Sequence, residues 1–183
     1  MKNKNEFPIL KYDPRFKLYY EAESKYLTKN LGDKFKVYHV GSTSVPGLGG
    51  KHILDILLLS PTKREAIKIF KKMERLNYVN PPNSGDKFRI VFKRDMRYGN
   101  RKIRVHVHLM WKTSKRYKNY FLFRDYLRSH PREAQKYFRL KKYWWKKSNY
   151  DRKAYSKMKT GYVFGVIEKA IKEKKEKWAS RKT

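Results

Sequence analysis

Apolar side chains return at helical spacing after Tyr12-Asp13-Pro14-Arg15-Phe16, with Phe16, Tyr19, Tyr20, Ala22, Tyr26, Leu27 and Leu31 on one side of a helix. Asp13 is a capping residue, Pro14 stands at the first helical position where its missing N–H is no loss, and Gly32 supplies the stop. A short strand over about residues 34–40 leads into Gly41-Ser42-Thr43-Ser44-Val45-Pro46-Gly47. Ile53-Leu54-Asp55-Ile56-Leu57-Leu58-Leu59 follows, an apolar run broken by one carboxylate, the pattern of a central strand buried on both faces. Helix returns from Thr62 to about Asn77: Thr62 and Glu65 have capping-box spacing, and Ala66, Ile69, Phe70, Met73 and Leu76 form an inward stripe.

Two alternating runs come after the turn-rich Asn80-Pro81-Pro82-Asn83-Ser84-Gly85. In the first, Phe88, Ile90 and Phe92 oppose Lys87, Arg89, Val91 and Lys93; in the second, Ile103, Val105, Val107 and Leu109 oppose Arg104, His106 and His108. The linker Arg94 to Arg101, with Gly99-Asn100, suits a hairpin. Beyond Trp111 the chain reads as helix, over about 117–129, 131–147 and 151–177. The expected architecture is α/β (α+β): one domain over residues 1–183, a sheet-containing core to about residue 111 and basic C-terminal helices packed on it.

Charge adds a partner to this picture. The 183 residues hold 48 Lys and Arg against 16 Asp and Glu, a net charge of +32. Ion pairing satisfies at most a third of these cations, and self-repulsion on that scale calls for a polyanion or dense counterions. From Lys112 onward 24 cations face 6 anions, so the helical part is the more basic per residue. The composition points to RNA or another polyanion, with 29 aromatic side chains as stacking surfaces. A basic surface kept for solubility is the plainer reading. The absence of cysteine excludes disulfides, thiolate zinc sites and a Cys nucleophile. The polar start Met1-Lys2-Asn3-Lys4-Asn5 and the short Ile53 to Leu59 run predict neither a secretory signal nor a membrane span, hence a cytoplasmic protein with no membrane partner.

Three features carry candidate chemistry. A glycine lets backbone approach phosphate oxygens, and successive N–H groups with hydroxyls cradle them, so Gly41, Ser42, Thr43 and Ser44 are phosphate-binding candidates, or simply a structural turn. Asp55 inside a buried strand needs a cation, a metal or several donors beside it, Lys51 being one candidate for a structural ion pair. His106 and His108, two apart on a strand, point the same way with Arg104, as a metal pair, a phosphate contact or two ordinary sheet-face histidines. If the hairpin packs its apolar side on the core, Lys87, Arg89, Lys93, Arg104, His106 and His108 line one cationic surface suited to a phosphorylated ligand. Among the helices, Asp125 is expected to fix helix packing by pairing with a neighbouring Arg. Tyr143-Trp144-Trp145, flanked by Lys141, Lys142, Lys146 and Lys147, suits stacking on unpaired bases amid phosphate contacts, although at least one aromatic must face the core.

Gly41-Ser42, twelve residues and then Asp55-Ile56-Leu57 resembles the nucleotidyltransferase superfamily of polymerase-β-like fold. Its signature pairs a Gly-Ser turn with Asp-x-Asp or Asp-x-Glu on a strand. The sequence is more closely similar to the GrpB family within it. The resemblance is carried by Tyr12-Asp13-Pro14-Arg15-Phe16, His39-Val40-Gly41-Ser42-Thr43-Ser44-Val45-Pro46-Gly47-Leu48, Lys51 with Ile53-Leu54-Asp55-Ile56, Phe92-Lys93 and His106-Val107-His108-Leu109. It continues through Phe123-Arg124-Asp125-Tyr126-Leu127-Arg128-Ser129-His130-Pro131 and Asp151-Arg152-Lys153-Ala154-Tyr155. The resemblance implies a mixed sheet flanked by helices and a nucleoside triphosphate or other phosphorylated ligand held at the Gly-Ser turn. It implies Asp55, His106 and His108 in catalytic and metal-binding roles with a divalent ion (Mg, Mn or Zn), and Lys51, Arg89, Lys93 and Arg104 as phosphate contacts. Nucleotidyl transfer to an RNA or small-molecule acceptor is the activity it implies. Leu57 stands where the superfamily has its second carboxylate, and His106 and His108 where a catalytic member has an acid. A single carboxylate with imidazoles is poor ligation for magnesium and suits zinc, manganese, iron or nickel better. The alternative is a non-catalytic basic RNA-binding module that keeps the fold.

Overall fold

A computed structural model describes residues 9–180. The N-terminal residues Met1 to Asn5 lie outside them. Four strands, β1 (Lys36–Val40), β2 (Ile53–Ser60), β3 (Ile90–Tyr98) and β4 (Arg101–Trp111), form one sheet in the order β1-β2-β4-β3. β2 runs antiparallel to β1 and parallel to β4, and β3 closes the sheet antiparallel to β4, so the sheet is mixed. Among the described residues no helix is long and apolar enough to cross a membrane.

Side-chain alternation divides the sheet into two unlike faces. Leu54, Ile56 and Leu58 of β2, Phe92 of β3 and Val105, Val107 and Leu109 of β4 pack against helices α1 (Phe16–Leu31), α2 (Lys63–Lys68) and α3 (Phe70–Arg75). Each such fully buried side chain contributes roughly 1.5–3 kcal/mol, and this layer is the main core. Leu57, Leu59, Val40 and Met110 point to the opposite face, where Tyr117, Tyr120 and Phe121 cover them. Three helices stack on that side: α4 (Lys118–Ser129), α5 (Pro131–Lys147) and α6 (Arg152–Ala179). Their own cluster of Leu127, Ala134, Tyr137 and Val166 takes in Val45 and Leu48 from the loop after β1. The glycine-rich loop is thereby clamped between sheet and helices.

Several boundaries moved for identifiable reasons. Asp13 does accept the Arg15 N–H at 3.0 Å, but it also pairs with the Arg15 guanidinium, and α1 begins only at Phe16. The stretch from Thr62 to Asn77 is broken at Ile69 into α2 and α3; Thr62 caps α2 by accepting the Glu65 N–H, while Glu65 pairs with Lys34 and Lys68. The largest correction concerns residues 94–98, expected in a linker. They continue β3, because Asp95 pairs across the strands with Arg104 and Lys102, and Met96 is buried. Only Gly99 and Asn100 make the turn.

Candidate functional site

The parallel β2–β4 pairing sets Asp55 opposite His106, and the β3–β4 pairing sets Lys93 opposite His106 on the other side. Asp55, His106 and His108 therefore share the face of the sheet that Tyr120 and Phe121 of α4 cover. His108 Nε2 stands 3.2 Å from Asp55 Oδ1, and His106 Nδ1 stands 3.8 Å from the same oxygen. Burial pushes the Asp55 carboxyl up, but the His108 hydrogen bond and the charges of His108, His106 and Lys159 outweigh it and hold Asp55 below the usual carboxylate value. Burial lowers His106 to about 4, against the pull of Asp55. Between 14% and 27% of each of these three side chains remains exposed, so the cluster opens to solvent.

The tight bend closes on this carboxylate. Val40 pairs with Asp55 in β1–β2, and the chain then turns at Gly41, whose φ of +71° is a left-handed conformation. A single 3-10 turn, Ser42–Ser44, follows. Its backbone is anchored from α4: Arg128 donates to the Ser44 carbonyl at 2.9 and 2.7 Å, and Arg124 to the His39 carbonyl at 3.0 Å. From inside, His39 Nε2 lies 3.1 Å from Thr43 Oγ1, and the Thr43 hydroxyl donates to the Ile53 carbonyl at 3.3 Å. His39 is stacked on Tyr20, and burial lowers it to about 4. Neither the two arginines nor His39 was read as functional. They act by positioning the bend, and their spacing on α4, i and i+4, was the available signal.

One amine reaches the bend from the helical layer, and two others lie within electrostatic reach of it. Lys141 of α5, 2% exposed, donates to Ser42 Oγ at 3.0 Å and to the Gly49 carbonyl. A Cβ on Gly50 would meet Ser42 Cβ at 3.2 Å and Lys141 Nζ at 3.4 Å, so this glycine makes room for the Ser42–Lys141 contact. Lys51 lies over the Tyr155 ring at 4.5 Å. Burial, then the charges of Lys159 and Arg152, lowers Lys51 to about 7; burial, then Lys159, lowers Lys141 to about 7. Lys159 of α6 is likewise lowered by burial, with the Asp55 charge opposing.

The six side chains expected on one cationic surface do not all share it. Arg89 points inward, donating to the Tyr120 hydroxyl at 2.9 Å, and Lys93 lies beside His106. Arg104 shares the face of His106 but is locked to Asp95 at 2.9 and 3.1 Å, whereas Lys87 sits before β3 over the Phe88 ring. The expected run of nucleic-acid contacts on α5 also divides. Lys141 and Trp145 are buried and Trp144 packs on Tyr137 and Tyr162, whereas Lys142, Lys146 and Lys147 are exposed. Asp125 does pair with Arg124, at 2.7 Å, yet it is exposed, and it is Arg124 that reaches the sheet.

Magnesium does not fit these residues. Leu57, at the position of the missing second carboxylate, is fully buried among Val40, Leu59 and Met110. One carboxylate, two imidazoles and neighbouring amines cannot supply an octahedron of oxygens. Among the described residues no three His, Asp or Glu side chains form a group able to hold a metal ion. Two surface clefts of about 500 Å³, one lined by Leu10, Asp13, Arg15 and His52 and the other by Phe70, Glu74 and Asn80, include none of the three site residues.

Residues 6–169 match the GrpB protein family. The chain is 32% identical over 164 residues to the UPF0157 protein PA4798 of Pseudomonas aeruginosa, covering 89% of this chain and 67% of that one. It is 30% identical over 140 residues to the UPF0157 protein YqkA of Bacillus subtilis, covering 76% of this chain but only 40% of the relative's length. Its structure superposes on the crystal structure of the conserved protein GrpB from Enterococcus faecalis with a TM-score of 0.76 and 26% identity, over 90% of this chain and 97% of that one. With the family match spanning most of its length, the chain belongs to the GrpB family.

Proposed function

We propose that this protein binds a nucleoside triphosphate or another phosphorylated ligand at the Gly41–Ser44 bend, its phosphates facing Lys51, Lys141 and Lys159. One observation carries the reading: the buried amine of Lys141 stands 3.0 Å from Ser42 Oγ in the bend, with the amines of Lys51 and Lys159 and the carboxylate of Asp55 within electrostatic reach of it. Burial lowers all three amines, and a phosphate chain would favour their charged forms. Asp55 is kept ionised by His108, which suits it to orient a ligand hydroxyl or amine rather than to serve as a base. Nucleotidyl transfer is the reaction such an arrangement would serve. The acceptor hydroxyl oxygen bonds to the α-phosphorus, the bond to the bridging oxygen breaks, and pyrophosphate leaves toward the amines. The hydroxyl proton departs through His106, an imidazole that burial keeps neutral.

Calorimetric titration with each nucleoside triphosphate and with pyrophosphate, alone and with Mg, Mn or Zn, tests binding. Wild-type protein is expected to bind at least one of them, and Lys141→Met and Lys159→Met each to weaken it tenfold or more. Wild-type affinity in both variants would dispose of the amine site. Incubation with labelled nucleotide and pooled RNA, followed by product mass, reports whether transfer occurs and to what.

A further inference from the structure

The helix that sends Lys141 to Ser42 is basic on its other side as well. Arg132, Lys136, Arg139, Lys142, Lys146 and Lys147 of α5 are all exposed. At about 100° per residue they fall within an arc of about 140°, with Lys141 at the opposite pole. Tyr143, 55% exposed, stands near the middle of that arc, with Lys147 5.6 Å from its ring centre. The acidic residue of α5, Glu133, is turned to α6, where it accepts from Tyr162 and pairs with Lys169 at 3.4 Å. Some cations elsewhere on the surface are paired: Arg104 and Lys102 with Asp95, Lys34 and Lys68 with Glu65, Lys177 with Glu173. Among the described residues none of the six on α5 forms an ion pair.

We infer that the outer face of α5 is a docking surface for a single strand of nucleic acid, its phosphates along the six cations and an unpaired base on Tyr143. From Arg132 to Lys147 the stripe is about 22 Å long at the rise of an α-helix, enough for several phosphates. The exposed aromatic ring favours an unpaired strand over a duplex, since only an unstacked base offers it a face. A membrane surface fits less well. Basic helices that lie on lipid insert an apolar opposite face, and here that face, with Tyr137, Lys141 and Trp145, is buried inside the protein. RNA and DNA strands share the chemistry being recognised. The surface stands apart from the phosphate site at the bend.

Fluorescence anisotropy with a labelled oligonucleotide, as RNA and as DNA of one sequence, tests this across a range of salt. Three variants decide it. The first is Lys136→Gln with Arg139→Gln and Lys146→Gln. The second removes the same charge from α1, where Lys17, Lys25 and Lys29 are also exposed, by changing each to Gln. The third is Tyr143→Ala. Wild-type protein is expected to retain one or both strands, with affinity falling steeply as salt rises. The α5 triple variant should bind at least tenfold more weakly, with a log–log salt slope shallower by about 2, at roughly 0.7 per lost contact. The α1 variant should keep the wild-type slope. Tyr143→Ala should lose about tenfold with the slope unchanged, the size of one stacked base. Asp55→Ala should bind the strand as wild type does, which separates this surface from the bend. Retention of neither strand, equal losses in the α5 and α1 variants, an unaffected Tyr143→Ala, or tighter binding to anionic vesicles than to either strand would each overturn it.

Discussion

Gly41 and Asp55 are in such close contact that a methyl group on the glycine would stand 2.5 Å from Asp55 Oδ2 and 2.8 Å from its Cβ. The glycine is required twice, for its left-handed φ and for the space the carboxylate occupies. Gly41→Ala should therefore either displace Asp55 from His108 or unwind the bend. The expected cost is about 3 kcal/mol, combining backbone strain with overpacking. Denaturant unfolding checks the stability, and pyrophosphate titration should show binding lost even where the variant still folds.

Lys141 separates function from folding. Its amine is buried against Ser42 and Gly49, so Lys141→Met relieves the cost of burying an amine but leaves the Gly49 carbonyl without that donor, two effects that largely offset. Lys141→Met is expected to change the melting temperature little while abolishing most of the shift that a nucleoside triphosphate produces. A large drop in melting temperature with ligand response retained would make Lys141 a structural strut and nothing more.

How much of this was legible follows from the range of each interaction. The apolar run of β2 and the alternation of β4 are local patterns, and both strands formed where those patterns lie. The charged end of β3 read as a linker, because its continuation depends on Asp95 finding Arg104 in the neighbouring strand. Asp55 could be flagged as a buried acid needing a partner, but Lys51 and the histidines competed for it until the parallel β2–β4 register put His106 opposite. Lys159 lies more than a hundred residues from Asp55 in sequence, on a helix whose lysines look alike in the chain. Only the packing of α6 on α4 and α5, which brings Lys159 within reach of the Asp55 charge, singles it out. Trp144 and Trp145 show the converse: helical geometry demands that one face inward, and packing took both.

Leu57 tests whether the site is one carboxylate short by accident. The side chain is fully buried beside Val40, Leu59 and Met110, on the same face of β2 as Asp55. Leu57→Asp places an acid at the superfamily position but in an apolar layer, where an unpaired carboxylate is costly. A loss of about 3–5 kcal/mol is expected, comparable to leaving a buried charge without its partner. Magnesium or manganese should restore none of it in denaturant titrations. Recovery of stability with either ion would mean that the layer can open into a two-carboxylate metal site.

A second buried acid, Glu23, holds the main core to the sheet. It is 1% exposed on α1, accepts from the Tyr78 hydroxyl, and meets Arg94 at 2.6 Å. The Arg94 guanidinium also lies over the Tyr26 and Tyr78 rings, at 4.3 and 5.0 Å. Glu23→Ala leaves Arg94 charged and unpaired, for an expected loss of about 3–5 kcal/mol. Arg94→Met in the same background should recover much of it. A double-mutant cycle by urea denaturation measures the coupling, and additive losses would show that the two residues act separately.

Protonation links the amines to their ligand. Lys51 and Lys141 stand at about 7 in the folded chain and return to about 10.5 on unfolding. Between these values the unfolded chain binds more protons, so stability should rise with pH from about 7 toward 10, and the charged amines weigh against folding below that window. Lys141 loses its charge as pH rises through about 7, and the uncharged amine still has two N–H groups for its two acceptors, Ser42 and Gly49. A phosphate chain reverses the balance by stabilising the charged form. Binding should therefore take up protons, and affinity should decline as pH rises past 7. Titrations of pyrophosphate near pH 8, in buffers of different ionisation enthalpy, give the number of protons taken up. Wild-type protein is expected to gain about one or more, and Lys141→Met to lose its share. Proton-neutral binding at that pH would show that the anion is held without these amines.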